Sequence, residues 1–338
     1  MIVIDYKLCV NCSYEINNEE ALCSNCGQPM HSDCVQQCVN CGKYLCDLCA
    51  SKLKWKCNDC VVDIYSMDFI SSTMFEAYLK CPFMFKELFV VNKNVEMPNK
   101  WSRIGQELHS LFDKWSYKDD KNSKTMITEF IQQYQTINKD LFDNEEDYTN
   151  FFDTSCKSIR NWIKSEEQYS KPLYTEKQHF VKLHDDLPQV RVTIDRINGD
   201  EGNASEWDVQ DYKTGRVYTA EQLRENIQLP TYAMAIKTIY GALPKYLRLR
   251  FTQHNKERLY VRLDDDTYEC KVPRGGTYTI SLNKTLDKMV DIYSNIKKDS
   301  FKPNISNIYF CDNFCPLMKE GKCSSLNTKW RLLNQRGY

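Results

Sequence analysis

Cysteine is the residue that most restricts how this chain can fold. Eleven of its seventeen cysteines lie between Cys9 and Cys60, mostly as C-x-x-C pairs, in a stretch with almost no apolar periodicity. Such a stretch cannot bury a hydrophobic core, so we expect bound metal to organise it. The opening MIVID is too short for a secretory signal, which favours metal ligation in a reducing, intracellular compartment over disulfides. No apolar run is long enough to predict a membrane span.

The spacing of these cysteines predicts zinc. Each C-x-x-C turn supplies two thiolates to one ion, which is half of a tetrahedral shell. With one histidine, the eleven cysteines give twelve ligands, enough for about three Zn²⁺ ions. The predicted zinc ligands are Cys9, Cys12, Cys23, Cys26, His31, Cys34, Cys38, Cys41, Cys46, Cys49, Cys57 and Cys60.

Part of this module resembles a PHD or RING-type cross-brace, in which alternating pairs share an ion. The resemblance implies one ion on Cys9, Cys12, His31 and Cys34, and a second on Cys23, Cys26, Cys57 and Cys60. An inserted third site, which the family lacks, would use Cys38, Cys41, Cys46 and Cys49. Sequential pairing as zinc ribbons is the alternative. The module is expected to dock a protein partner, with nucleic-acid binding and a ubiquitin-ligase role as alternatives.

The rest of the chain has few cysteines and a clear apolar periodicity. The sequence predicts a zinc-binding module at 1–62, a larger domain at 63–325 and a basic tail at 326–338. In the larger domain, helical periodicity alternates with period-2 segments, which predicts an α/β fold with a central mixed sheet flanked by helices. The predicted helices cover about 73–91, 101–117, 123–137, 146–167, 219–240 and 279–298, and the predicted strands 177–183, 189–197, 206–213, 245–252 and 258–263.

Four side chains of the larger domain have the chemistry of a hydrolytic site. His109 lies on the flank of the apolar stripe of its predicted helix. Asp195 projects from the polar face of one predicted strand, and Asp211 and Lys213, two residues apart, share one face of the next. Each alone has an ordinary explanation, as a hydrogen-bonded boundary histidine or a surface ion pair.

Together these residues resemble the PD-(D/E)XK nuclease superfamily, in particular its RecB-like branch of AddB-type and CRISPR-associated adaptation nucleases. The segments that carry the resemblance are G-x-x-x-H at 105–109, D-R-I at 195–197, D-Y-K-T-G at 211–215 and Q-L-x-x-Y at 228–232. The likeness covers about 68–325, beginning with SSTMFEAYLKCPFMF. It implies a restriction-endonuclease-like core and nuclease activity.

The resemblance also implies roles for the residues. The expected ligands of Mg²⁺ or Mn²⁺ are His109, Asp195, Asp211 and the carbonyl of Tyr212. Carboxylate oxygens suit hard cations, and an imidazole favours Mn²⁺. Lys213 is expected to orient the attacking water and to stabilise charge on the phosphate. The expected substrate contacts are Gln228, Tyr232 and Arg196, although an ordinary helix face packed on the sheet would also explain the first two.

A second cysteine set joins the two ends of the larger domain. In the RecB-like branch, one early and three late cysteines hold a [4Fe–4S] cluster, and the corresponding residues here are Cys81, Cys311, Cys315 and Cys323. The late cysteines are spaced more widely than is usual in the family, so zinc on the same thiolates is the alternative. Cys156 and Cys270 are expected to be buried and unliganded.

The expected function is a divalent-metal-dependent DNA exonuclease acting on single-stranded ends in recombination, repair or replication-linked processing. The net charge is only −1, so DNA must bind to a local basic surface. The chain has no phosphate-binding ATPase loop, and a helicase, recombinase or replication factor is the expected partner of the zinc module in the cytoplasm, near the nucleoid. The alternative is a catalytically silent, zinc-dependent interaction or nucleic-acid-binding subunit.

Overall fold

The structure, a computed structural model, describes residues 8–16, 20–38, 42–52, 57, 67–91, 99–272, 275–298, 300–304, 306, 310–312, 315–319 and 323. The chain divides into two compact units, Met1–Met67 and Asp68–Tyr338. Cys41, Cys60 and the predicted basic tail at 326–338 lie outside the described residues. No helix within the described ranges is long and apolar enough to cross a membrane.

The first unit has little regular structure, and sulfur occupies its centre. Its elements are β1 (Glu20–Leu22), β2 (Pro29–His31), β3 (Gln36–Gln37), β4 (Tyr44–Leu45) and α1 (Asp47–Lys52). β1 pairs with β2 and β3 with β4, both antiparallel. The buried residues at the centre are mostly cysteines, together with Met30, Leu45 and Ala50. This small apolar core agrees with the expectation that metal organises the unit.

The helices of the second unit follow the predicted periodicity, with two interruptions. They are α2 (Ser72–Lys80), α3 (Pro82–Phe85), α4 (Lys100–Ser116), α5 (Ser123–Tyr134), α6 (Glu145–Glu166), α7 (Ala220–Arg224), α8 (Gln228–Tyr240), α9 (Leu282–Lys297) and α10 (Pro316–Lys319). Pro82 has no N–H to continue α2, so it begins a new helix that passes into a π-helical segment, Lys86–Val91. Asn226 interrupts the helix predicted at 219–240, because its Oδ1 accepts the Leu229 N–H at 2.8 Å at the start of α8.

Eight strands form one mixed sheet in the described part of this unit. They are β5 (Phe69–Ser71), β6 (Tyr174–Val181), β7 (Gln189–Asn198), β8 (Asp208–Lys213), β9 (Tyr246–Phe251), β10 (Lys256–Arg262), β11 (Thr267–Val272) and β12 (Gly276–Ser281). Their order is β12-β11-β10-β9-β8-β7-β5, with β6 also paired to β7. β6, β7 and β8 are an antiparallel meander, and β9 runs parallel to β8 after the crossover through α7 and α8. The predicted α/β class, with a mixed sheet flanked by helices, is confirmed.

Aromatic packing fixes α4 against β8. Phe112 of α4 and Trp162 of α6 stack with ring centroids 4.9 Å apart, and both are fully buried. The Tyr212 ring of β8 meets Phe112 edge-on at 5.4 Å. Truncating one such aromatic side chain costs about 3–5 kcal/mol in a protein core. Because α4 is held in this way, His109 lies one turn from Phe112, beside the polar end of β8.

Candidate active site

The pairing between β7 and β8 stops where the two predicted catalytic acids lie. The last paired residues toward this end are Arg196 and Gln210, and Asp195 and Asp211 come next on the two strands. The backbone N–H of Tyr212 donates to Asp195 Oδ2 at 2.6 Å instead of continuing the ladder. A carboxylate thus replaces a strand-to-strand hydrogen bond, and the strands separate to form a pocket between the acids.

Asp211 is buried, with 1% of its surface exposed. Its Oδ1 accepts a hydrogen bond from the Tyr232 hydroxyl at 3.2 Å. Its Oδ2 lies 2.7 Å from Lys213 Nζ in an ion pair, but no described donor approaches this oxygen with hydrogen-bonding geometry. Burial raises the pKa of Asp211 to about 6, although Lys213 and His109 lower it.

Lys213 belongs to a closed ring of polar contacts. Its ammonium donates to Gln228 Oε1 at 2.6 Å, and Gln228 Nε2 donates to the Tyr232 hydroxyl at 2.6 Å. That hydroxyl in turn donates to Asp211, the ion-pair partner of Lys213. Burial lowers the pKa of Lys213, but the Asp211 carboxylate raises it by more. The net shift of the pKa is upward, so the amine remains an ammonium. Gln228 and Tyr232, predicted to contact the nucleic acid, here hold Lys213 and Asp211, and Tyr232 is only 2% exposed.

His109 faces two carboxylates. Its Nδ1 lies 3.5 Å from Asp195 Oδ2 and 3.7 Å from Glu176 Oε1. Burial lowers the pKa of His109, but Asp195, Glu176 and Asp211 raise it, to about 10. In the metal-free protein the imidazole is therefore protonated at neutral pH.

Glu176 is a site residue that the sequence analysis missed. It lies on β6 between Thr175 and Lys177, which pair with Arg196 and Ile194 of β7, so it stands opposite Asp195. Its φ of 45° is in the left-handed region, which is uncommon for a residue with a side chain. The signal that could have found it is the register of the β6–β7 hairpin, which places residue 176 across from 195.

The pocket continues into a longer polar groove. A cavity of about 390 Å³ is lined by all four predicted catalytic side chains, together with Tyr212 and Gln228. A second cavity of about 570 Å³ shares His109, Asp195 and Gln228 with the first and extends past Arg191 to the start of α2. Its remaining lining includes the hydroxyl and amide side chains of Ser71, Ser72, Thr73, Gln106, Ser110 and Thr193. An extended polar ligand can therefore lie next to the acids.

A comparison with protein families decides the class of the chain. The profile of the PD-(D/E)XK nuclease superfamily matches residues 70–319, which include both catalytic strands and α4. The chain belongs to the PD-(D/E)XK nuclease superfamily. Members of this superfamily are generally metal-dependent nucleases, so the chain is in general terms a metal-dependent nuclease that acts on nucleic acid. Comparison with curated proteins found no match.

Within the PD-(D/E)XK core, the burial of Arg196 shows that its predicted role as a substrate contact is wrong. Its guanidinium is fully buried and donates to Glu166 Oε2 at 2.5 Å, to Asn198 Oδ1 at 2.7 Å and to the Ser170 carbonyl at 2.6 Å. The other oxygen of Glu166 accepts from Arg250 Nη1 at 2.9 Å. Because these partners surround it, Arg196 presents no surface to a nucleic acid and instead joins β7 to α6.

In the first unit, eight of the predicted zinc ligands form two groups whose donor atoms lie within 4.8 Å of one another. One group is the predicted set of Cys9, Cys12, His31 and Cys34, and the other is Cys23, Cys26, Cys46 and Cys49. The second group corrects the predicted partition. Cys46 and Cys49 follow the β3–β4 hairpin, which places the Cys46 N–H 3.3 Å from Cys23 Sγ, so they complete a four-ligand set with Cys23 and Cys26. Cys38 and Cys57 are buried in the same unit.

The first group also has the supporting contacts of a metal site. His31 Nδ1 lies 3.3 Å from Cys12 Sγ, and its Nε2 lies 3.0 Å from the Glu15 carbonyl oxygen. A carbonyl on the outer ring nitrogen fixes the tautomer that leaves the inner nitrogen free to bind an ion. The His31 backbone N–H donates to Cys9 Sγ at 3.4 Å. This set can hold metal.

The four cysteines predicted to join the ends of the nuclease unit are all buried: Cys81, Cys311, Cys315 and Cys323. Asn304 links the early and late members, because its N–H donates to Cys81 Sγ at 3.4 Å and its carbonyl oxygen lies 3.9 Å from Cys311 Sγ. Among the described residues, these thiols are absent from the groups whose donor atoms all lie within 4.8 Å of one another. Cys156 and Cys270 are buried as predicted.

Proposed function

We propose that the chain is a divalent-metal-dependent DNA nuclease that degrades single-stranded ends as an exonuclease in recombination, repair or replication-linked processing. The observation that carries the proposal is that His109, Asp195, Asp211 and Lys213 line one pocket where β7 and β8 separate. Phosphodiester hydrolysis requires an activated water and neutralisation of charge on the phosphate. This combination of acids, imidazole and ammonium is suited to both tasks.

The residues of the pocket fit Mg²⁺ or Mn²⁺. Asp211 Oδ2 is buried 2.7 Å from the Lys213 ammonium and accepts no hydrogen bond of regular geometry from the described residues, so it can also coordinate a cation. His109 and Asp195 present nitrogen and oxygen donors 3.5 Å apart. We assign the ligands as His109, Asp195, Asp211 and the Tyr212 carbonyl. A bound divalent cation supplies a water of lowered pKa and neutralises phosphate oxygens.

Lys213 has the position of a group that stabilises the transition state. Its ammonium stays charged and is held by Gln228 and Asp211 at the wall of the pocket. Because its direction is fixed before substrate binds, little reorganisation is needed during the reaction. In this proposal Lys213 orients the attacking water and donates to the phosphate oxygen on which charge increases.

The groove supports binding of a single strand without regard to sequence. Its hydroxyl and amide side chains can donate to phosphates. The Arg191 guanidinium lies 4.5 Å from the centre of the Phe69 ring and offers a positive charge and a flat surface beside the acids. Phosphate contacts and stacking of this kind do not distinguish bases.

We further propose that the four buried thiols of the nuclease unit hold a [4Fe–4S] cluster. Sulfurs bound to one Zn²⁺ at about 2.3 Å are about 3.8 Å apart, whereas a cubane cluster separates its thiolates more widely. Burial and the neighbouring Cys315, Cys81 and Cys323 raise the pKa of Cys311 to about 11, so the four sulfurs lie close enough to interact, which supports one shared centre. Zinc on the same four thiols is the alternative, and metal analysis distinguishes it from the cluster.

For the first unit we propose about three Zn²⁺ ions and a docking role. The two four-ligand groups support zinc binding, and Cys38, Cys41, Cys57 and Cys60 are the remaining predicted ligands. The partner is proposed to be a helicase, recombinase or replication factor in the cytoplasm, because a nuclease of this kind needs another protein to open duplex DNA.

Digestion of end-labelled DNA tests the proposed function. With Mg²⁺ or Mn²⁺, wild type should degrade linear single strands, leave circular single strands intact and prefer DNA to RNA of the same sequence. Lys213→Ala should reduce the rate by about 10³-fold, as expected for loss of a transition-state charge. Lys237→Ala, an exposed lysine on α8, is the matched control and should digest DNA like wild type.

Equal digestion by wild type and Lys213→Ala would show that the assigned pocket is not the active site. Cleavage of circles would replace the exonuclease proposal by an endonuclease. A wild-type protein that cleaves neither DNA nor RNA, alone or with its partner, would establish the alternative of a catalytically silent binding subunit.

A further inference from the structure

An aromatic and basic surface lies where β5, β6 and β7 meet, four residues along β7 from Asp195. It consists of Phe69, Phe180 and Arg191, and we name it the Phe180 platform. We propose that this platform binds a nucleobase of a single strand whose phosphate lies at the catalytic acids. The inference rests on the proposed function, in which the groove holds single-stranded nucleic acid, and adds a second binding position that recognises bases.

Contacts between rings and guanidinium hold the platform together. The Phe69 and Phe180 rings meet edge-on with centroids 5.6 Å apart. The Arg191 guanidinium lies 4.5 Å from the centre of the Phe69 ring. The strand register explains this arrangement, because Arg191 is paired with Phe180 of β6 on one side and with Ser71 of β5 on the other. The three side chains therefore form one surface across three strands.

The platform is continuous with the catalytic groove. Arg191, Thr193 and Asp195 alternate along β7, and all three line the cavity of about 570 Å³ that His109 also lines. Four residues of a strand span about 13 Å. A stacked strand of nucleic acid advances about 3.4 Å per nucleotide. A base on the platform therefore belongs to a nucleotide about four positions from the phosphate at the acids.

The side chains of the platform are available to a ligand. Phe180 is 49% exposed, although it is a large aromatic residue. Among the described residues, the Arg191 guanidinium contacts the Phe69 ring and forms no ion pair or hydrogen bond. Arg191 therefore keeps its charge and its donors for a phosphate, while the Phe180 ring offers a flat face on which a base can stack.

Position and charge distinguish Phe180 from an ordinary exposed apolar residue, which by itself needs no explanation. Its strand partner is an arginine without an ion pair among the described residues, and that arginine lines a groove rich in hydroxyl and amide side chains. A single strand presents a flat base and a negative phosphate at every nucleotide. This alternation matches an aromatic ring beside an arginine, so the chemistry favours nucleic acid as the ligand of the platform.

Binding of single strands without added Mg²⁺ or Mn²⁺ tests the proposal separately from cleavage. Fluorescence anisotropy of the full-length protein compares a labelled thymidine strand of twelve nucleotides with an abasic strand of the same length, which keeps the phosphates and lacks the bases. Phe180→Leu keeps an apolar side chain but loses the ring, so it should weaken binding of the thymidine strand about tenfold and leave binding of the abasic strand unchanged. Phe180→Tyr, which keeps the ring, should bind both strands like wild type. Leu263→Ala, at an exposed apolar residue after β10, is the matched control and should also bind like wild type.

Equal weakening of both strands by Phe180→Leu would overturn the proposal, as would unchanged binding of the thymidine strand or a wild type that binds neither strand. Arg191→Gln should weaken both strands and reduce the slope of log affinity against log salt by about one, and an unchanged slope would contradict the phosphate contact.

Melting temperatures verify that each variant folds, and if Phe180→Leu does not fold, Phe180→Met replaces it with the same expected results. A chain that shows the expected binding but cleaves no nucleic acid contradicts only the proposed function. A chain that cleaves, and whose Phe180→Leu variant binds both strands like wild type, contradicts only the platform.

Discussion

At the scale of single residues, one amide determines where the Lys213 ammonium points. Gln228 accepts from Lys213 and donates to Tyr232, so it connects the lysine to the helix as well as to Asp211. A role in binding DNA and a role in positioning Lys213 predict different kinetics, because the first changes KM and the second changes kcat.

Gln228→Leu should lower kcat about 10- to 100-fold, or about 1.4–2.7 kcal/mol of transition-state stabilisation, with little change in KM for DNA. The physical reason is that Lys213 loses the acceptor that directs it, while the groove keeps its phosphate contacts. Steady-state digestion of a labelled single strand measures both constants. Gln132→Leu, an exposed glutamine on α5, serves as control. A raised KM with unchanged kcat would return Gln228 to the substrate contacts.

Metal binding in the pocket should strengthen as pH rises. The pKa of His109 is raised to about 10 and that of Asp211 to about 6, and an ion must displace the protons bound there. Between pH 6 and 8.5 we expect about one proton released per Mn²⁺ bound, and about two below pH 6. Protonation of His109 also stabilises the metal-free fold, because its pKa is higher in the folded than in the unfolded chain. This stabilisation is complete below pH 6.5 and is lost as pH rises through about 10.

Calorimetric titration of Mn²⁺ in two buffers of different ionisation enthalpy gives the number of protons released. His109→Gln should remove the proton released near neutral pH and weaken binding. Release of no proton at pH 7 by wild type would contradict the raised pKa of His109.

At the scale of helices and strands, periodicity predicted most of the nuclease fold. The apolar stripe of α4 and the β6–β8 meander were predictable because each produces a periodic pattern of apolar residues within a short segment of the sequence. The short β5 was missed because its strand character comes from pairing with the distant β7. The hairpin of β11 and β12 at the far edge was also missed, although its two strands are neighbours in sequence. Glu176 was missed for a related reason, since only the hairpin register places it opposite Asp195.

Arg196 shows where motif reasoning gave the wrong result. An arginine next to a catalytic acid suggests a phosphate contact, but its partner Glu166 lies thirty positions earlier, on a helix that only the tertiary fold brings to β7. The salt bridge is buried, so Arg196 stabilises the interior of the fold and does not line the groove.

Arg196→Ala should therefore destabilise the fold by about 3–5 kcal/mol, because Glu166 Oε2, Asn198 Oδ1 and the Ser170 carbonyl lose their donor together. Urea denaturation followed by circular dichroism measures the loss. Arg160→Ala, an exposed arginine on α6, should change the free energy of unfolding by less than about 0.5 kcal/mol. Weaker DNA binding by Arg196→Ala at unchanged stability would reinstate the substrate role.

At the scale of the whole molecule, the nuclease unit is closed by contacts between its two ends. The Tyr78 hydroxyl of α2 donates to the Ser300 carbonyl at 2.6 Å, and Asn304 Nδ2 donates to the Lys80 carbonyl at 3.1 Å. The Phe301 and Phe85 rings stack with centroids 6.2 Å apart. Cys81 and the late cysteines lie among these contacts, so a metal centre there closes a loop of more than two hundred residues.

Cys81→Ser should remove this centre and leave the first unit intact. Closing so long a loop restricts the unfolded chain by about 5–6 kcal/mol, so the melting temperature of the nuclease unit should fall while the zinc bound by the first unit stays constant. For a cluster, anaerobically purified wild type should carry about four iron per chain and absorb in the visible, and Cys81→Ser should lose both signals. For a zinc centre, wild type should instead carry one zinc more than the variant and no iron. Cys156→Ser, at a buried cysteine without an assigned metal role, is the control and should keep every metal. Equal metal content in Cys81→Ser and wild type would show that the ends are held by protein contacts alone.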